Sequence, residues 1–252
     1  MPKLDACWAS CLENCCDKLS REHLVSGGLF TDNSIMVEGF PWCKGQAVKI
    51  GLSGLTSKIL CEKHNNDLSD TDTAGIIGFE ALREMRRLAN VREKLKEERW
   101  RVFRDRVDGY GLERWCLKTL INLCCDREVA IGRDSTVTGR PSDRLVRIVY
   151  GLEEFKGRAG LYFAARVGMS IQSEDIVRFS PLVKQGANVE GGLFSFRGQR
   201  LLLFLEEEGP PQPLRGVSMD GEDFGDVELN FHLKEIKVMQ GKYLSEILTF
   251  EW

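Results

Sequence analysis

The chain has no apolar run close to the roughly 20 residues that span a bilayer, and its opening stretch, Met1-Pro2-Lys3-Leu4-Asp5-Ala6-Cys7, has no apolar segment of signal-peptide type. We therefore expect a cytoplasmic protein without a membrane partner. It also lacks an excess of positive charge. Its 35 Lys and Arg against 38 Asp and Glu give a formal net charge of −3. Bulk charge thus excludes a polybasic nucleic-acid binder, and any nucleic-acid contact needs a local basic patch. No GxxxxGK[ST], no GxGxxG after a strand, no GxSxG and no HExxH occurs, so the phosphate-loop, dinucleotide, nucleophile-elbow and zincin signatures are all missing. Histidine is scarce, with three in 252 residues, and two of these sit beside the cysteine-bearing stretches.

Cysteine is the residue the chain does have. There are nine, an odd number that cannot pair fully, and a reducing compartment disfavours a disulfide set. Metal binding or plain burial remain. Cys116, Cys124 and Cys125 fall in an apolar helical pattern and read as core thiols. Cys43 is isolated and reads as a packing residue. The others group around the histidines: Cys7, Cys11, Cys15 and Cys16 precede His23, and Cys61-x-x-His64 gives the second stretch. Structural zinc takes four N or S ligands in a tetrahedron. Cys61 and His64 supply one pair at turn-like spacing. Cys15 or Cys16, with Cys7 or Cys11, supplies the other, and we favour Cys7 with Cys15.

Along the chain, Ala47-Val48-Lys49-Ile50-Gly51 reads as a strand bounded by glycines. Asp70, Thr71, Asp72 and Thr73 offer caps for a helix running to about Asn90, with Asp67, Asp70 and Asp72 as further candidate oxygen donors. Arg83, Arg86 and Arg87 read either as phosphate contacts or as an exposed face paired with Glu80 and Glu84. The charged run 91–101 reads as a solvated connector, which divides the chain into 1–95 and 96–252. Gly111 to Cys125 reads as a buried amphipathic helix, and Pro141 to Tyr150 as another. From Gly160 onward β signals dominate: Leu161–Val167, a hairpin of Leu193–Phe196 and Leu201–Leu205 around Arg197-Gly198-Gln199-Arg200, then Val227–His232, Glu235–Met239 and Ile247–Trp252. Residues 206–214, with Pro210, Pro211 and Pro213, read as a loop. His232 receives no role. The expected class is α+β, ending in a mainly antiparallel sheet.

The succession of cysteines, Leu19-Ser20-Arg21-Glu22-His23-Leu24-Val25, a loop, and Leu60-Cys61-Glu62-Lys63-His64-Asn65-Asn66 resembles the zinc-containing branch of the HNH endonuclease superfamily, over roughly residues 5–90. The resemblance implies a zinc-braced ββα unit carrying a catalytic divalent metal. It implies His23 as the base that activates water, with Glu22 and Asn65 as metal ligands. Ser57 stands where that family has the asparagine that orients the base. Structural Zn²⁺, catalytic Mg²⁺ or Mn²⁺ and a nucleic-acid partner, DNA first, follow as expectations. The chemistry suits these residue types: imidazole exchanges protons near neutral pH, and hard oxygen ligands suit Mg²⁺ or Mn²⁺. The alternative is a catalytically inactive zinc-stabilised module that binds nucleic acid or protein.

Overall fold

The structure, a computed structural model, describes residues 6–40, 42–43, 45–95, 101–125, 129–164, 176–184, 188–196, 199–210, 214–217, 223–227, 229–240 and 245–252. The fold is α+β with mostly antiparallel sheets. Its strands are β1 (Leu19–His23), β2 (Ser34–Glu38), β3 (Val48–Gly51), β4 (Thr56–Cys61), β5 (Phe103–Asp108), β6 (Ala130–Ile131), β7 (Gly160–Ala164) and β8 (Ile176–Val183). They continue with β9 (Asn188–Phe196), β10 (Gln199–Phe204), β11 (Leu214–Val217), β12 (Asp223–Val227), β13 (Leu229–His232), β14 (Val238–Gln240) and β15 (Glu246–Glu251). The helices are α1 (Glu62–Asn66), α2 (Ser69–Lys94), α3 (Gly109–Cys124), α4 (Asp143–Val149) and α5 (Leu233–Ile236).

β1 pairs antiparallel with β4, from Leu19 opposite Cys61 to His23 opposite Thr56, with an irregularity between Ser20 and Glu22. α1 and α2 follow β4 directly. The largest sheet runs β13-β7-β10-β9-β8-β2-β3, with β6 beside β9. Its β2–β8 and β6–β9 pairs are parallel and the rest are antiparallel. Strands from both sides of residue 95 therefore share one sheet. β14, β15 and β5 form a smaller sheet, and β11 with β12 a two-stranded one.

α2 buries Gly75, Gly78, Phe79, Leu82 and Met85, a stripe at helical spacing. Its outer face pairs Arg83 with Glu80 at 2.6 Å and Arg87 with Glu84 at 2.7 Å, so these two arginines take the exposed-face reading. α3 starts where the Asp108 side chain accepts from Gly111 N, and most of its residues are buried. The two helices approach closely because Gly75 has no side chain: a Cβ there would lie 2.2 Å from the Trp115 ring. Phe79, Trp115 and Phe196 then meet edge to face at 5.2–5.5 Å, which fixes α3 between α2 and the large sheet.

Several elements follow the sequence reading: the strand at Val48–Gly51, the helices at Gly109–Cys124 and Asp143–Val149, and the β9–β10 hairpin. Residues 165–167 and the turn residues 197–198 of those expectations lie outside the described residues. Others differ. α2 begins at Ser69 without a side-chain cap, so Asp70 and Asp72 fall in its first turn rather than before it. The helix also runs on to Lys94. Arg92 is not on a solvated face: it is 7% exposed and binds Glu246, Ser245 Oγ and the Arg101 carbonyl. Glu235 lies in α5 rather than in a strand, because the His232 ring accepts from Lys234 N and caps a helical turn. Cys43, Cys116, Cys124 and Cys125 are buried, as packing thiols should be.

Candidate metal centre and adjoining cleft

Four side chains from three places in the chain point at one another. Cys7 and Cys15 come from the segment before β1, Cys61 ends β4, and His64 lies in α1. All four are buried, and their ligating atoms lie within 4.8 Å of one another. His64 Nδ1 stands 3.3 Å from Cys7 Sγ, 3.6 Å from Cys15 Sγ and 3.3 Å from Cys61 Sγ. In a tetrahedral site with bonds near 2.3 Å to sulfur and 2.05 Å to nitrogen, the sulfur–nitrogen separation is about 3.5 Å. The cluster therefore has both the donors and the spacing to hold a metal ion.

The local sequence builds this arrangement. Cys61 is the last residue of β4 and the N-cap of α1, its Sγ accepting from His64 N. The Cys-x-x-His step thus spans the first helical turn, which turns both ligands to one side. Cys61 N donates to Cys7 Sγ at 3.4 Å, a contact that favours the thiolate. His64 Nε2 bonds Asn14 Oδ1 at 2.5 Å. An amide oxygen only accepts, so the proton resides on Nε2 and the Nδ1 lone pair faces the sulfurs. Burial holds the His64 pKa below its ordinary value, which keeps the ring neutral and able to ligate. Burial also pushes the Cys7 thiol up to about 12. A bound cation reverses that cost, because it stabilises the thiolate it coordinates. Of the alternative cysteines, Cys16 accepts from Lys63 N at 3.3 Å and donates to the Lys18 carbonyl at 3.5 Å, and Cys11 packs half-buried against the core. Neither joins the four-residue group.

Beside this cluster lies an open cleft of about 260 Å³, lined by Glu22, His23, Asn65 and Asp72 among others. Along a strand successive side chains point to opposite faces, so His23 is exposed while Glu22 is only 3% exposed. Asn65 Nδ2 donates to Ser20 Oγ at 2.7 Å, which ties α1 to β1. The three residues named from sequence thus border one cleft. Ser57 lies opposite Glu22 on β4 and borders a different hollow, with Leu24, Trp42 and Asn122.

The structure also places in this region residues that sequence reasoning left out. Lys118 of α3 is 2% exposed. Its Nζ lies 2.6 Å from Glu22 Oε1 and 2.6 Å from Asp72 Oδ1. Ser26 Oγ donates to Asp72 Oδ1 at 2.6 Å and accepts from Trp115 Nε1 at 2.7 Å. Asn122 joins Glu22 and the His23 carbonyl. Asp72 is therefore neither a helix cap nor free of other commitments: it is an ion-pair partner. Burial raises the Glu22 pKa, and Lys118 opposes that shift. Trp115, Lys118 and Asn122 recur at helical spacing on one face of α3. A lysine and an asparagine four residues apart inside an otherwise apolar helix were the available signal, since such groups are buried only with partners.

No protein family, curated protein or solved structure matches the chain. Among the described residues no helix is long and apolar enough to cross a membrane.

Proposed function

We propose that the chain is a metal-dependent, nuclease-like protein that hydrolyses phosphodiester bonds of nucleic acid, DNA first, in an N-terminal unit braced by zinc. The observation that carries this reading is that Glu22, His23 and Asn65 border one open cleft beside the Cys/His cluster. β1 and β4 pair antiparallel beside that cluster and α1 follows β4, with β2 and β3 intervening in sequence. Three sulfurs and one imidazole suit zinc better than a hard cation. His23, exposed at the end of β1, takes the proton from water. Glu22 and Asn65 offer the oxygen atoms that Mg²⁺ or Mn²⁺ prefers, with Asp72 beside them. Such an ion, when bound, neutralises charge developing on the phosphate. Lys118 contacts both carboxylates, and its ammonium would hold Glu22 and Asp72 in place beside such an ion.

The test is cleavage of plasmid DNA and of RNA with Mg²⁺ or Mn²⁺, comparing wild type with His23→Ala. The reading expects DNA cleavage and a loss of about 10²-fold or more in the variant, the usual contribution of a general base. Cleavage of RNA alone changes the substrate class. No cleavage, or equal cleavage by both proteins, overturns the assignment.

One observation favours a second reading, a zinc-braced module that binds nucleic acid or protein without cutting. Lys118 pairs with both Glu22 and Asp72, so each carboxylate has a partner charge without a divalent ion, one ammonium serving two carboxylates. Retained nucleic-acid binding by a protein that never cleaves is its signature.

A further inference from the structure

Asn122 stands 99 residues after His23 in sequence and is 4% exposed. Its side-chain Nδ2 donates to Glu22 Oε1 and to the main-chain carbonyl of His23, each at 3.2 Å. Its Oδ1 accepts from Trp8 Nε1 at 3.0 Å. The partners fix the amide's orientation: an indole N–H can only donate, and a peptide carbonyl can only accept. One planar group thus joins three segments, the N-terminal loop through Trp8, β1 through Glu22 and His23, and α3 through its own backbone.

We infer that Asn122 is a positioning residue for the cleft: anchored by Trp8, its amide holds the His23 end of β1 and the Glu22 carboxylate in one fixed relation. This rests on the hydrolase reading proposed above. Among the described residues β1 pairs only with β4, and the β1–β4 register ends with His23 opposite Thr56. Beyond it the next link to this segment is Leu24 N to the Leu55 carbonyl at 2.8 Å. The carbonyl between those two contacts is the one Asn122 takes. Glu22 and His23 are consecutive on β1 and both border the cleft, so a group that grips the side chain of one and the main chain of the other restrains both. Misplacement of a reacting group by about 1 Å can cost on the order of 10²-fold in rate. The rigid support comes from α3, which is packed on both sides. The amide is therefore held by an element the strand does not itself contain.

The test uses full-length wild type, His23→Ala, Asn122→Ala and Asn122→Asp. The aspartate keeps the acceptor for Trp8 and loses both donors, which separates the positioning contacts from the anchor. Steady-state kinetics on plasmid DNA are read per zinc-loaded molecule, together with amide hydrogen exchange at residues 22–25. The expected result is kcat lower by about 10²-fold in both Asn122 variants, KM within twofold, and faster exchange at 22–25 in each. A purely structural role lowers the fraction folded and leaves kcat per folded molecule unchanged. If wild type cleaves, His23→Ala does not, and Asn122→Asp matches wild type in kcat or in exchange at 22–25, the inference fails while the hydrolase reading stands. If wild type cleaves nothing, the reading fails and Asn122's role in a reaction fails with it.

Discussion

Two buried polar clusters flank the β1–β4 pair, and they balance charge in opposite ways. Cys7, Cys15, Cys61 and His64 turn four donors toward one centre, and their own side chains include no cation. Glu22 and Asp72 instead turn their carboxylates on the ammonium of Lys118. The first arrangement stays neutral as buried thiols and imidazole, as the raised Cys7 thiol indicates, and takes on thiolate charge only with an ion to offset it. The second carries a cation of its own, one ammonium between two carboxylates. Burial of polar groups alone therefore does not mark a ligand site. What distinguishes a structural ion site is a set of donors with no partner charge of its own.

Removing the resident cation breaks the comparison most sharply. Lys118→Met leaves Glu22 and Asp72 facing each other without compensation, and should lower unfolding stability by about 3–5 kcal/mol, read from urea denaturation. Adding Glu22→Gln to that variant should recover part of the loss. A Lys118→Met protein as stable as wild type would show that the ion pairs add little.

A smaller effect tests the other cluster. Asn14→Ala removes the oxygen that fixes the His64 tautomer. It should weaken metal affinity by about 10- to 100-fold, measured by competition with a chromogenic chelator, while the four ligands stay in place. Unchanged affinity would mean that the sulfurs alone set the ring's orientation.

The smallest effect concerns a third buried ion pair, Glu113 with Lys234 at 3.0 Å. Burial raises the Glu113 pKa above its ordinary 4.5. In the window just above 4.5 the folded chain keeps a proton that the unfolded chain has released, so this group makes stability fall as pH rises. Glu22 contributes with the same sign. Glu113→Gln should remove this contribution, so that just above pH 4.5 the urea midpoint falls less, or rises more, with pH than in wild type. An unchanged slope would remove Glu113 from that account.

How much of this was legible in the sequence differs between the two clusters. Cys61-x-x-His64 is a local pattern with a geometric meaning, and its partners had to come from four candidate cysteines. Spacing could not choose among these, since the segment carrying them is short and irregular, with Glu13 in the left-handed region at φ 61°. The helices α3 and α4 were visible from apolar periodicity and a cap. Lys118 and Asn122 were not assigned because their partners lie 46 to 114 residues away, across the position where the charged run suggested a boundary. That run misled for a related reason: Arg92 reads as solvated until Glu246, 154 residues later, comes to meet it. Long-range pairing of charge leaves no local pattern.

The zinc content of the purified, chelator-free protein tests the central claim most directly, that the Cys/His cluster is a zinc centre built independently of the Glu22 side of the β1–β4 pair. The account predicts about one zinc per chain in wild type, retained in Glu22→Gln and lost in Cys61→Ser. A folded wild-type protein that carries no metal, or one whose zinc survives Cys61→Ser, would contradict it.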